Sequence, residues 1–302
     1  MNELIKSTDY SEFMDAYLAQ KDVSEKSKRT YREALKVFFR WCNERGLDRL
    51  TKADIIEFKT SLRERGLKPF SVNLYLTTLR GFFDWAEEEG IHQNVARRVK
   101  GEKVAKGFKK EPLTRDQAIE LVNSTESKRD KALVFLMIAT GLRTIEVTRA
   151  NVEDLKPREG KMVLWIQGKG HAEKDDFVVI EPPVLREIQE YLVDRRAKPE
   201  EPLFTSESRN GRGARLNSGS VSRIVKQALR GILINDPRIT AHSLRHSMVT
   251  FAGLGGASME SRQAGARHEQ QATTALYDHS RDNLKLKTEA AEAVLEYMGA
   301  IA

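Results

Sequence analysis

The feature that most constrains the fold of this chain of 302 residues is a basic segment between two stretches with a regular apolar pattern. The segment, RRVKGEKVAKGFKKE at residues 97–111, has two glycines and no apolar stripe at helical spacing. Up to Lys110 it carries seven Lys and Arg residues and a single acid, Glu102. The flanking parts, residues 1–96 and 112–302, are each long enough for a domain. The sequence therefore predicts two domains joined by a cationic tether, which either contacts a polyanion or merely links them.

The composition indicates a water-soluble protein. Hydrophobic residues make up 40% and charged residues 31% of the chain. A net charge of +7 is compatible with a polyanionic partner without requiring one. The single cysteine, Cys42, excludes an intrachain disulfide and suits a reducing compartment. The longest mainly apolar run, from Ala132 to Leu142, is too short for a bilayer span of about 20 residues, and MNELIKSTDY lacks the core of a signal peptide. We expect a cytoplasmic protein without a membrane partner.

The first hundred residues have the pattern of helices alone. In the second predicted helix, apolar residues recur at helical spacing from Tyr31 to Trp41, which predicts a buried face. The same helix begins with a crowd of cations that suits either a solvated face or contact with phosphate, namely Lys26, Lys28, Arg29 and Arg32. Thr51 and Thr114 are predicted N-caps of later helices.

The second part is predicted to be mostly helical with a small sheet. The segments MVLWIQ and DFVVIE read as two antiparallel strands around the loop GKGHAEK, with Lys169 at or near the turn. Before them, LRTIEVTRANVEDL is predicted to continue as one helix with Arg143 and Glu146 on one face. Glu146 is interpreted as an orienting partner for an arginine or a backbone group. The predicted fold class is mainly α, with a small antiparallel β-sheet in the second domain.

Polar side chains concentrate between Thr240 and Tyr277. His242 and Arg245 are three residues apart in HSLR and share a helix face, and His268 lies in GARHE. Arginine suits a phosphate because it is permanently charged and planar with forked donors, while tyrosine is a latent oxygen nucleophile. By composition alone, a surface arginine with two buried histidines is the simpler interpretation of this stretch.

Six residues in a fixed order change that interpretation. They are Arg143, Lys169, His242, Arg245, His268 and Tyr277, and the last two are nine positions apart. In this order and spacing they resemble the tyrosine recombinase, or phage integrase, family, and the resemblance covers nearly the whole chain. The chain is most similar to compact two-domain members of the Xer or mobile-element type. It departs from the family pattern at Val95, where a proline is usual, and at Ala266-Arg267, where Leu-Gly is usual.

The resemblance implies a metal-free and ATP-free reaction. Tyr277 would attack the scissile phosphorus and form a 3′-phosphotyrosine, while Arg143, Arg245 and His268 stabilise the nonbridging oxygens. Lys169 would be the general acid for the 5′ oxygen, although GKG alone also fits an ordinary turn lysine. The sequence contains no HExxH, Walker A or paired-carboxylate motif, so no cofactor is expected.

His242 would be the base for the tyrosine proton or a second phosphate donor. The resemblance also implies an N-terminal SAM-like core-binding domain at residues 1–96 and a catalytic domain at residues 112–302. Together they would clamp double-stranded DNA target sites as a homotetramer, helped by accessory DNA-bending proteins, in association with the nucleoid. Further DNA contacts are predicted for Arg97, Arg98, Lys100, Arg212, Arg215 and Arg223, in addition to the four cations of the second helix.

Three questions stay open at this point. The last helix, from about Thr288 to Met298, either docks into a neighbouring subunit, as in many family members, or packs on its own domain. A type IB topoisomerase would use the same chemistry without pairing two duplexes. A DNA-binding regulator on the same fold would cut no DNA at all.

Overall fold

The structure, a computed structural model, describes residues 10–47, 49–104, 111–168, 172–267 and 284–299. The chain divides into two compact units, Met1–Gly107 and Phe108–Ala302. In its described residues the first unit consists of four helices: α1 (Tyr10–Gln20), α2 (Glu25–Glu44), α3 (Lys52–Glu64) and α4 (Pro69–Glu88). No helix in the described part of the chain is both long and apolar enough to cross a membrane.

Aromatic side chains form the centre of the first unit. The ring of Phe38 on α2 lies edge-on to Phe58 of α3 and Phe83 of α4, with centroids 5.0 and 6.2 Å apart. Such edge-to-face pairs add to the free energy gained by burying the rings. The predicted cap of α3 is confirmed, since Thr51 and Asp54 form a reciprocal capping box. The apolar pattern of the sequence therefore predicted this core correctly.

The first unit extends beyond residue 96, where the sequence suggested that it would end. Val99 is buried in its core, and Arg80 donates a hydrogen bond to the Val99 carbonyl at 2.6 Å. Lys59 pairs with Glu102 at 2.9 Å, and Arg97 donates to acids on α4. The beginning of the predicted tether is thus fixed by an apolar anchor and by ion pairs, which its basic composition concealed.

The second unit is mostly helical around a small sheet. Its described elements are α5 (Arg115–Asn123), α6 (Lys128–Thr140), α7 (Thr144–Arg149), a 3-10 turn (Val152–Asp154), β1 (Leu155–Arg158), β2 (Lys161–Ile166), β3 (Asp176–Val179), α8 (Pro182–Arg195), α9 (Ser218–Gly231), α10 (Ala241–Leu254), α11 (Met259–Ala266) and α12 (Leu284–Met298). The strands are antiparallel in the order β1-β2-β3. Helix α6 runs through the core, with every residue from Ala132 to Ile138 fully buried. The predicted fold class is confirmed.

The sheet has one strand more than the sequence predicted. The stretch predicted to be one helix ends at Arg149, and the chain turns at Asn151 into β1. The Asp154 carboxylate accepts the Asn151 backbone N–H at 2.6 Å and closes the 3-10 turn. Helical periodicity through Val152 and Leu155 was misleading because the Asn151–Asp154 side-chain cap competes with a continuing helix.

Helix α12 packs on its own unit, against α10 and α11 and the edge of β3. The helices approach so closely that a Cβ on Gly255 would lie 2.2 Å from the Ala293 carbonyl oxygen. At the start of α12 the buried Lys287 ammonium pairs with Asp176 of β3 and donates to the Phe177 carbonyl at 3.2 Å. In this single chain the last helix packs on its own unit, and docking into a neighbouring subunit stays a prediction.

We predict that Lys287→Met lowers the free energy of unfolding by about 3 kcal/mol, because it leaves the partly buried Asp176 carboxylate without its cation. Adding Asp176→Asn should recover part of this loss. Lys128→Met, which removes an exposed pair with Asp194 of α8, should cost less than about 1 kcal/mol. Urea unfolding of the three variants measures these differences. Equal losses for Lys287→Met and Lys128→Met would contradict the prediction.

Candidate active site

Arg143 stands immediately before α7 and is held there by Glu146. The Glu146 carboxylate accepts the Arg143 backbone N–H at 2.8 Å through Oε2 and the Arg143 Nη1 at 2.7 Å through Oε1. Glu146 is 1% exposed, whereas the Arg143 side chain is 27% exposed. The carboxylate therefore orients a guanidinium that can still reach a ligand. The two residues are related by a helix cap instead of the shared helix face that the sequence suggested.

Arg245, on α10, is almost completely enclosed. It is 3% exposed, donates from Nη1 to the Gly141 carbonyl at 2.7 Å, and donates from Nη2 to the Ala266 carbonyl. Burial, followed by the positive charges of Arg267 and Arg143, lowers the pKa of Arg245 to about 9. The guanidinium is still charged at neutral pH, but its surroundings contain too little negative charge to balance it.

Gly141, whose carbonyl accepts from Arg245, lies in a tight position against Met248. It ends α6 in the left-handed region with φ of 63°, which glycine adopts without steric cost. A Cβ at this position would lie 2.5 Å from the Met248 Cε and 3.5 Å from the Arg245 Cγ. The sequence contains this glycine in ATGLR, but its tertiary role depends on α10 lying against the end of α6.

His242 lies in the first turn of α10, three residues before Arg245. Its exposed ring lies edge-on to the ring of His246, with centroids 4.9 Å apart. Burial, and then the charge of Arg245, lowers the pKa of His246 below the usual histidine value. His242 is therefore at an exposed helix N-terminus, where the backbone N–H groups favour an anion.

Arg267 is a buried site residue that sequence reasoning missed. It is 8% exposed and donates to the Glu146 carboxylate at 2.9 Å and to the Gly265 carbonyl at 2.9 Å. Burial alone would raise the pKa of the Glu146 carboxyl, but the charge of Arg267 and the hydrogen bonds from Arg143 hold it below the usual value. The only signal in the sequence was that an arginine occupies the position where the resembled family usually has glycine.

The described part of the site carries an excess of positive charge. The guanidiniums of Arg143 and Arg267 both donate to the Glu146 carboxylate, and the charge of this carboxylate also acts on the nearby Arg245. Such a cluster is suited to an anion with several acceptor oxygens, and a phosphodiester is one. No group of three or more His, Cys, Asp or Glu side chains able to hold a metal occurs within residues that the structure describes.

Three of the six predicted catalytic residues, Lys169, His268 and Tyr277, lie outside the described residues. The described chain next to Lys169 is anchored at its base. Arg149, the last residue of α7, donates to the Gly168 carbonyl at 2.7 Å, and the Gln167 amide donates to the Ala172 carbonyl at 2.8 Å. Helix α7 is thus preceded by Arg143, and its last residue, Arg149, contacts the loop between β2 and β3.

The cations predicted on α2 differ in their surroundings. Lys26 and Arg29 line an open groove together with Tyr75 of α4. Lys28 and Arg32 each pair with an acid of the first unit. Lys26 and Arg29 are therefore the better candidates for phosphate contacts.

The basic residues after α4 also divide into two groups. Arg98 lines a second groove with Arg49 and Lys52, and the side chain of Lys100 is exposed. Arg97 borders the same groove, but its guanidinium is engaged by acids of α4, and these acids raise its pKa.

Of the three arginines predicted further along the chain, Arg212 and Arg223 are exposed. Arg215 instead donates to the Thr148 carbonyl at 2.8 Å and to the Asn151 side chain at 2.6 Å. These bonds give Arg215 a structural role, which is to fix the turn between α7 and β1. The loop position of Arg215 in the sequence gave no sign of this long-range contact.

Comparison with protein families identifies the family of this chain. A model described as the phage integrase family matches residues 111–283, and one described as the phage integrase N-terminal SAM-like domain matches residues 11–90. The chain belongs to the phage integrase family. It is a tyrosine recombinase, as the order of the six residues predicted.

Two named tyrosine recombinases are similar to this one along most of their length. XerA of Pyrococcus horikoshii is 30% identical over 275 residues, which cover 91% of this chain and 90% of XerA. XerC of Thermodesulfovibrio yellowstonii is 31% identical over 284 residues, which cover 88% and 90% of the two chains. The similarity therefore extends over both units of the recombinase.

Solved structures show the same fold at lower identity. A lambda integrase tetramer bound to a Holliday junction is similar with a TM-score of 0.68 and 20% identity, covering 92% of this chain and 78% of that one. XerH site-specific recombinase bound to a palindromic difH substrate, in a post-cleavage complex, has a TM-score of 0.68 and 18% identity, with coverages of 96% and 83%.

We predict that Gly141→Ala destabilises the recombinase by about 2–4 kcal/mol, because a Cβ adds a clash with Met248 to the cost of a left-handed residue. Gly160→Ala is the matched control, since Gly160 also has positive φ but nothing within 4 Å of its would-be Cβ. It should cost only about 1–2 kcal/mol. Chemical unfolding of both variants gives the comparison, and a loss at Gly141 no larger than at Gly160 would refute the proposed clash.

Proposed function

We propose that this chain is a site-specific DNA recombinase that cuts and rejoins strands through a covalent 3′-phosphotyrosine at Tyr277. The observation that carries the proposal is the buried arginine cluster around Glu146, in a chain of the phage integrase family. A cluster with this charge excess favours a phosphodiester whose negative charge grows during reaction.

In the proposed reaction the Tyr277 oxygen forms a bond to the scissile phosphorus as the bond from phosphorus to the 5′ oxygen breaks. The tyrosine proton goes to a base, for which His242 is the candidate, or His242 is a second phosphate donor. The 5′ oxygen takes a proton from Lys169 and leaves as a hydroxyl. Because the new phosphotyrosine is also a phosphodiester, rejoining needs no ATP.

The described residues concern one part of the proposed reaction, which is the stabilisation of negative charge in the transition state. Arg143 and Arg245 would bind the nonbridging oxygens, and His268 would add a hydrogen bond. Arg245 is rigidly held by carbonyls on two sides, so its donors need little reorganisation when charge develops. Removing one such donor should reduce the cleavage rate by about 10²–10³-fold.

The proposed working assembly is a homotetramer on two DNA duplexes. The support is a similarity to a lambda integrase tetramer bound to a Holliday junction. At 20% sequence identity this similarity concerns the fold alone. The first unit would contact the duplex through Lys26 and Arg29, which border its open groove. Accessory DNA-bending proteins and nucleoid association remain parts of this proposal.

Two rival functions make different products. A type IB topoisomerase would relax supercoils without pairing duplexes, so a sequence-specific product that requires a tetramer would exclude it. A DNA-binding regulator would form no covalent adduct.

The proposal predicts a covalent protein–DNA adduct that depends on Tyr277. DNA carrying a candidate target, with a nick close to the cleavage position, should trap the adduct because the short released strand diffuses away. A denaturing gel should show the adduct with the wild-type recombinase and none with Tyr277→Phe. The matched control Tyr297→Phe, which alters a tyrosine packed on Phe251, should retain it.

Each result decides a different point. An adduct that survives in Tyr277→Phe would overturn the nucleophile assignment. Tight, sequence-specific binding with no adduct on a verified target would favour the regulator. An adduct with supercoil relaxation but no recombinant product on paired targets would favour the topoisomerase.

The groove on the first unit leads to a separate prediction on salt dependence. Lys26→Ala and Arg29→Ala should each reduce the slope of log binding constant against log salt concentration by about 0.9 if each side chain neutralises one phosphate. Lys36→Ala is the control, because Lys36 is on the same helix but pairs with Glu33 at 3.2 Å. Fluorescence anisotropy over a salt series measures the slopes. Identical slopes for all three variants would remove the groove from the DNA interface.

A further inference from the structure

Arg267 occupies an unusual position for an arginine. It caps the end of α11 in the left-handed region, with φ of 53° and ψ of 48°. For a residue with a Cβ this conformation costs about 1–2 kcal/mol that glycine avoids. Its side chain turns inward, donating from Nη1 to the carbonyls of Thr140 and Gly265 and from Nη2 to Glu146. Arg267 thus combines an unfavourable backbone conformation with a buried side chain whose two terminal nitrogens are hydrogen-bonded.

We propose that Arg267 is a positioning residue for strand cleavage, which holds the Glu146 carboxylate and through it the Arg143 guanidinium in the geometry that binds the scissile phosphate. This inference rests on the proposed function. It assigns no contact between Arg267 and DNA. Its role is exerted through the carboxylate that the two arginines share.

The division of the Glu146 oxygens supports the proposal. Oε1 accepts from the Arg143 guanidinium, while Oε2 accepts from the Arg143 backbone and from Arg267. Without Arg267, the only guanidinium that the described structure leaves on this carboxylate would be that of Arg143. The carboxylate, 1% exposed, would then draw the Arg143 charge inward, since an enclosed anion requires full pairing. With Arg267 present, the charge of Arg143 stays available to a phosphate.

Arg267 also links the ends of two helices, α6 and α11. Its Nη1 joins the end of α6 at Thr140 to the end of α11 at Gly265. Arg245 contacts the adjacent carbonyls, those of Gly141 and Ala266. Arg267 therefore fixes the same pair of helix ends from which Arg245 is held.

The decisive variant is Arg267→Gly, which removes the side chain and also relieves the backbone. Arg196→Gly is a matched control, because Arg196 caps α8 with nearly the same backbone, φ of 52° and ψ of 49°, and is exposed. The readouts are the single-turnover cleavage rate at saturating nicked DNA, the DNA dissociation constant and the melting temperature. The wild-type adduct, measured alongside, tests the proposed function separately.

We expect Arg267→Gly to melt cooperatively and bind DNA with little change, but to cleave about 10–100-fold more slowly, because a small displacement of Arg143 is enough for such a loss. Arg196→Gly should cleave like the wild type. Arg267→Lys keeps a positive charge beside the Glu146 carboxylate, but a lysine cannot also bond the two carbonyls that Arg267 reaches. It should therefore restore only part of the cleavage rate.

Several results would overturn the inference. A cleavage rate in Arg267→Gly equal to that of the wild type would do so directly. An Arg267→Gly protein that fails to fold at the assay temperature would assign the residue a purely structural role instead. A wild-type recombinase that forms no adduct on a verified target would remove the proposed function, and this inference with it.

Discussion

The organisation of the catalytic unit depends on one buried carboxylate. Glu146 is enclosed, ionised and shared between Arg143 and Arg267. An isolated buried arginine would be strongly unfavourable, and so would an isolated buried carboxylate, so each requires the other. Because one carboxylate cannot balance the Arg245 charge as well, the cluster keeps a positive excess that an incoming anion can satisfy. The same interaction thus stabilises the fold locally and leaves a positive charge that would favour an anion.

Helix ends supply the remaining partners of these arginines. The last carbonyls of a helix have no acceptor role within it and carry partial negative charge. Carbonyls at the ends of α6 and α11 accept from Arg245 and Arg267, so neither guanidinium needs a second carboxylate. Had acids provided these contacts, the positive excess would have been cancelled. Backbone carbonyls hold the arginines in place without neutralising them, which is what a phosphate-binding site requires.

Local patterns predicted most of this architecture, and contacts between distant residues account for what they missed. Caps such as Thr51 and Thr114 were readable because a capping box spans only four residues. Strand β1 was missed because a helical apolar period continues to its first residue, Leu155, whereas the Asp154 cap and the distant Arg215 fix a turn before it. The order of the six polar residues predicted the family, but Arg267 went unassigned because its partner, Glu146, is 121 positions away in the chain. Spacing cannot report which charges end up buried together.

The lowered pKa of Arg245 indicates where catalytic power would come from. Its surroundings weaken the charged form, by burial first and then by the neighbouring arginines, yet a pKa of about 9 keeps it charged at neutral pH. A bound phosphate would relieve this penalty, and a transition state with more negative charge on the nonbridging oxygens would relieve it further. Only interactions that strengthen between the ground state and the transition state accelerate a reaction. An arginine whose positive charge is not balanced by carboxylates of its own protein meets that condition. An arginine fully paired with carboxylates would bind both states weakly.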